Sequence, residues 1–130
     1  MTLQYIGRLD KEKLGKYKKL IITDKVLISE ERIIHMKEHH PELTDNEITY
    51  VSEKIKKPDY IFDDRKNIDT ILMVKDNNNK NYITVVKLNT NICFKEKSNT
   101  VISFWNISNK KLRQFIRNEQ IIYKRLDNEE

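Results

Sequence analysis

Apolar positions in this chain change spacing near its middle, from a helical period to a strand-like one. From Ser29 to Pro41, Ile33 and Met36 share one side at about 100° per residue, and His40 falls between them in angle. His35 and His39 project together on roughly the opposite side. Ser29 is placed to cap this helix, Glu30 and Glu31 suit its positive end, and Pro41 stops it. A second helix is signalled by the capping box Thr44-Asp45-Asn46-Glu47, with Leu43 and Ile48 set for a hydrophobic staple. Ile48, Val51 and Ile55 then line one face, and Pro58 ends the run.

Elsewhere the pattern is that of strands. Leu3 to Leu9 has strand-like residues, and the basic run to Lys19 reads as a loop or a helical turn. Leu20–Thr23 and Val26–Ile28 flank Asp24-Lys25 as a hairpin would. Tyr60–Phe62, Thr70–Lys75, Tyr82–Leu88 (extendable through Phe94) and Thr100–Trp105 follow, joined by connections too short for crossovers. Ser108 caps a last helix with Leu112, Phe115 and Ile116 on its apolar side, and Gln120–Lys124 reads as an edge strand. The expected fold is α+β: two N-terminal helices packed on one face of an antiparallel β-meander, with a further C-terminal helix and a short edge strand.

Composition narrows the class. At 130 residues the chain fits one domain, residues 1–130, with one core. Only 38% of residues are apolar and 35% are charged, but the apolar ones are periodic, which argues against disorder. The net charge of +5 is compatible with a polyanionic partner such as RNA. Basic residues gather in the first twenty positions and again from Lys110 to Arg125, so a fold that joined the ends would concentrate positive charge there. The lone Cys93 allows no disulfide within the chain and suits a reducing, cytoplasmic setting. No signal peptide and no run of ~20 apolar residues is present, so no membrane contact is expected.

Three histidines in six residues are the densest chemistry in the chain, and they admit three readings. They are plain surface residues; or His35-Met36-Lys37-Glu38-His39 is the H-x-x-E-H pattern of a zinc peptidase, although no third ligand is indicated; or they serve metal-free RNA cleavage. In that chemistry a base takes the proton of the ribose 2′-OH and an acid protonates the leaving 5′-oxygen. Imidazole suits both roles because it titrates near neutrality, and cations and hydroxyls stabilise the charge that develops on phosphorus.

The order of motifs resembles the phage-associated branch of the barnase–EndoU–colicin–RelE superfamily of metal-independent RNases, from about Tyr5 to Arg125. The family's Ile-Gly-Lys-like strand reads Ile6-Gly7-Arg8, and its His-Ile-x-x-Arg-His-Pro helix reads His35-Met36-Lys37-Glu38-His39-His40-Pro41. Its Pro-Asp-Tyr-like segment is matched by Lys57-Pro58-Asp59-Tyr60-Ile61 and its Val-Ile-Thr strand by Val101-Ile102-Ser103. The following helix and the Leu-Tyr-Lys-like close match Ser108–Leu112 and Ile122-Tyr123-Lys124. His39 departs from the pattern's basic residue, Ser103 keeps a hydroxyl, and Arg8 keeps a charge with different geometry.

The resemblance implies an endoribonuclease without cofactor or metal, acting as a toxin or phage-encoded effector and neutralised by an antitoxin or immunity protein. It implies His35 as general base or acid and His40 as the second histidine, with Arg8 and Ser103 contacting phosphate. His40 is also open to a structural role at the helix end, and Ser103 to that of a strand hydroxyl in solvent. Trp105, Lys110, Tyr123 and Lys124 are candidates for RNA contact; the competing roles are core aromatic for Trp105, edge aromatic for Tyr123 and solvated cation for the two lysines. The alternative to an enzyme is a non-catalytic module that binds RNA or a protein.

Overall fold

The computed structural model describes residues 3–41, 51–77, 80–93 and 96–126. The capping box at Thr44–Glu47, with Leu43 and Ile48, lies outside them. The described strands are β1 (Leu3–Arg8), β2 (Lys25–Ser29), β3 (Tyr60–Asp63), β4 (Thr70–Asn77), β5 (Lys80–Cys93), β6 (Glu96–Ile107) and β7 (Gln120–Lys124). They form one seven-stranded sheet in the order β1-β2-β6-β5-β4-β3-β7. The described α-helices are α1 (Glu30–His39), α2 (Val51–Lys56) and α3 (Asn109–Asn118).

This arrangement corrects the expected fold in three respects. The N-terminal part of the chain supplies two strands, β1 and β2, paired antiparallel at one edge, before any α-helix forms. The sheet is mixed rather than a plain meander, because β2 runs parallel to β6 through Val26↔Asn99 and Leu27↔Thr100. Helices cover both faces rather than one.

The reason for two covered faces is in β4. Ile71, Leu72, Met73 and Val74 are all buried. Neighbours on a strand point to opposite faces, so both faces here need apolar cover. Ile71 and Met73 join a cluster with Val86 and Phe104, covered by Met36 of α1 and by Val51 and Ile55 of α2. Leu72 and Val74 join another with Phe62, Ile83 and Val85, covered by Leu112, Phe115 and Ile116 of α3.

The hairpin expected around Asp24-Lys25 is replaced by pairing of β2 with β1. Leu20 to Thr23 forms no strand; instead the Ile22 N–H donates to Asn89 Oδ1 at 2.9 Å and Asn89 Nδ2 donates to the Leu20 carbonyl at 2.9 Å. Asn99, fully buried, fixes the parallel join by donating to the Thr23 and Lys25 carbonyls at 2.7 and 2.9 Å. Such buried amides are stable only when paired.

The basic run folds as two 3-10 turns, Lys11–Lys13 and Gly15–Lys19. Gly15 has φ +54°, and a Cβ there would come within 2.8 Å of Ile122 Cγ2. Glycine therefore allows this segment to lie against β7, and Lys13 Nζ sits 5.2 Å from the centre of the Tyr123 ring. The two basic ends of the chain do meet.

Candidate functional site

The candidate site is built where β2 stops. Ser29 takes an extended conformation (φ −84°, ψ 149°) and accepts from the Arg32 N–H at 3.1 Å, so the strand turns directly into α1. The helix takes over beside β6, burying Met36, with Ile33 packed on the first cluster. The opposite flank of α1 carries His35 and His39. Both are exposed, with ring centres 4.3 Å apart and planes tilted by 53°.

His40 stands apart from that pair. It ends the helix, its N–H donating to the Met36 carbonyl at 2.8 Å, and its backbone leaves the helical region (φ −134°, ψ 71°). Its ring stacks on Trp105 at 6.1 Å between centres and 9° between planes. His40 is thus half-buried with its ring beside the indole, while His35 and His39 are exposed.

Trp105 and Ser103 point to the same face of β6, since they pair with Ile83 and Val85, which share the second cluster. Both are half-buried. Trp105 is therefore neither sealed in the core nor fully in solvent. Three residues on, Ser108 accepts from the Lys111 N–H at 3.1 Å and starts α3. Lys110 is exposed in the first turn of that helix.

The other sequence-derived residues lie elsewhere. Arg8 pairs with Lys25 at the start of β2, next to the row of Asn99. Trp105 is six residues farther along β6, roughly 20 Å at ~3.3 Å per residue. Arg8 is bound to Asp24, whose hydrogen bond and charge hold the guanidinium still more firmly protonated. A groove of about 680 Å³ opens beside it, lined in part by Tyr5, Gly7, Asp24 and Lys56. The histidines take no part in it.

Tyr123 faces the first cluster beneath Lys13, on the opposite side of the sheet from Trp105. Lys124 is exposed on β7, which lies four strand positions from β6, roughly 19 Å at ~4.8 Å per strand. The structure therefore brings His40 onto Trp105, with Ser103 two residues away on the same face of β6, and sets His35 and His39 against each other on the flank of α1 opposite the buried Met36. Arg8, Tyr123 and Lys124 are apart from that group.

In the sequence His39 shares a helix side with His35 and closes the H-x-x-E-H pattern, while it departs from the family motif. Its i, i+4 spacing from His35 was the available sign that the two rings would meet.

A second titratable cluster is centred on β3. Asp63 is buried and accepts from Tyr17 Oη at 2.7 Å and Lys16 Nζ at 2.6 Å. Burial is the largest influence on Asp63 and opposes its ionisation. The hydrogen bonds from Lys16 and Tyr17, with the lysine charge, outweigh it and hold the carboxyl below its usual range. Burial first, then the bond to Asp63, pushes the Tyr17 phenol well above its ordinary value. These groups clamp the 3-10 turn to β3, with Tyr17 itself buried.

Among the described residues, no group of three or more His, Cys, Asp or Glu is arranged to hold a metal ion. No described helix is long and apolar enough to cross a membrane. Comparison with protein-family models, with curated proteins and with solved structures gave no match.

Proposed function

We propose that the chain is a metal-independent endoribonuclease that cuts RNA by 2′-OH transesterification, with its acid and base on α1. The observation that carries this is the exposed His35–His39 pair, 4.3 Å between rings, on a helix whose following residue, His40, lies against the half-buried Trp105. One imidazole takes the 2′-OH proton as that oxygen attacks phosphorus. The other gives a proton to the 5′-oxygen as its bond to phosphorus breaks, leaving a 2′,3′-cyclic phosphate. Trp105 offers a flanking base a stacking surface, and Ser103 a hydroxyl on the same face. His39 rather than His40 partners His35 in this scheme, because its exposed ring meets that of His35, whereas His40 is half-buried beside Trp105. The sequence resemblance supports the same chemistry, and with it a role as a toxin or phage-encoded effector restrained by a neutralising protein.

The position of Arg8 favours a second reading. A phosphate-binding cation bound to Asp24 at the other end of β6 is what a non-catalytic RNA-binding module of this fold would tolerate. End-group analysis of RNA incubated with the protein in excess chelator separates the two. The nuclease yields 5′-hydroxyl and 2′,3′-cyclic phosphate ends; the binding module leaves the RNA intact.

A further inference from the structure

Most of the cations of this protein for which a partner is seen are matched to carboxylates: Arg8 to Asp24, Lys16 to Asp63, Lys18 to Glu12, Lys75 and Arg125 to Asp59. Helix α3 is different. Lys110, Lys111, Arg113 and Arg117 are exposed, the helix contains no acidic residue, and none of the four has an ion-pair partner among the described residues. Lys111 turns its Nζ over the Phe115 ring at 5.4 Å. The other three form a stripe. At about 100° per residue Lys110, Arg113 and Arg117 fall within roughly 60° of one another. They rise about 10 Å along the axis, opposite the buried Leu112.

We infer that this stripe is the track for one strand of RNA, running from Trp105 along the outer face of α3; this rests on the proposed function. Three features point to a nucleic acid strand. Unpaired cations at regular helical spacing neutralise successive phosphates and release their counterions. The stripe begins five residues after Trp105, whose half-buried ring can take an unstacked base. The apolar side of α3 is committed to the sheet through Leu112, Phe115 and Ile116, so the helix has no free face to lay into a lipid surface. Single-stranded RNA is the matching substrate class, because base stacking on Trp105 needs a base already out of a duplex.

The test is fluorescence anisotropy with an end-labelled single-stranded RNA whose riboses are all 2′-O-methylated, so that it binds without being cut. It is run over a series of salt concentrations for the wild type, the triple variant Lys110→Gln/Arg113→Gln/Arg117→Gln, and Lys18→Gln, whose cation is already paired with Glu12. Each phosphate contact contributes about 0.7 to the slope of log affinity against log salt. The triple variant is expected to bind more weakly with a slope smaller by about 2, and Lys18→Gln to match the wild type. Circular dichroism establishes that the variants are folded. An unchanged slope in the triple variant overturns the track. So does a wild type that binds no RNA, which would leave the stripe to an acidic protein surface. Cleavage of unmodified RNA is measured in parallel. Slope loss without cleavage by any protein keeps the track and removes the nuclease, whereas cleavage with an unchanged slope does the reverse.

Discussion

Two regions of this fold hold similar side chains in different states. In one, the 3-10 turns at residues 11–19 carry five lysines, of which Lys16 and Lys18 are closely paired and Lys13 lies 3.9 Å from Asp10. Away from them, His35 and His39 are exposed on α1, and α3, on the other face of the sheet, carries four cations with no carboxylate partner among the described residues. By charge alone the N-terminal run would be the stronger site for RNA. Pairing narrows that difference: three of the five lysines are matched to carboxylates, leaving Lys11 and Lys19, whereas all four cations of α3 lack an ion pair among the described residues. Substitutions at His35 and His39 should alter activity without altering stability, and those around Asp63 the converse.

The largest effect is expected from the α1 pair. Removing an acid or base costs roughly 10²–10⁴ in rate, and residues that act as a unit are not additive. His39→Ala should thus fall in that range, and the His35→Ala/His39→Ala double variant should be little worse than either. Thermal unfolding of these exposed-site variants should match the wild type. His40→Ala should cost less in rate, and equal losses for His39→Ala and His40→Ala would return His40 to the catalytic pair.

Next comes the Asp63 cluster. Tyr17→Phe removes a hydrogen bond to a buried carboxylate, a change of about 1.5–3 kcal/mol in stability by denaturant titration. RNA cleavage by the folded protein should be unchanged. A loss of turnover in folded Tyr17→Phe would break the division between the two regions.

Loss of the aromatic at Trp105 should cost ~1–3 kcal/mol of single-stranded RNA affinity, read by anisotropy. The matching change at Tyr123 should leave RNA affinity alone and lower stability instead, since that ring lies beneath Lys13 and against the core.

The smallest effects are set by pH. The carboxyl of Asp63 titrates below its unfolded value, so its contribution is complete above about pH 4 and lost as pH falls through the folded value. The Tyr17 phenol titrates above its unfolded value of about 10, so its contribution holds below that pH and fades as pH rises further. Tyr17→Phe should abolish the alkaline limb and weaken the acid one, as measured by unfolding across the pH range.

Local features of this division were legible in the sequence. Ser29 and Pro41 bracket α1, observed at Glu30–His39, because capping and proline chemistry act within a few residues. The antiparallel β3-β4, β4-β5 and β5-β6 pairs follow from short connections. The parallel β2–β6 join did not, since it depends on Asn99 reaching carbonyls more than seventy residues away. The run from Ile71 to Val74 carried the sign of a sheet covered on both sides, and reading it as a one-faced meander misplaced α3. At the site, His35 and His39 follow from helical spacing. Arg8 does not, because its position is set by pairing across the sheet. Nor does the difference between the two basic regions, since Asp63 lies 47 residues from Lys16 in the chain.

The central claim is most directly tested by single-turnover cleavage of unmodified single-stranded RNA in excess chelator, comparing the wild type with His35→Ala. The account predicts that the wild type cuts and that the variant, equally stable, cuts roughly 10²–10⁴-fold more slowly. Equal cutting by the two proteins, or none by the wild type, would contradict it.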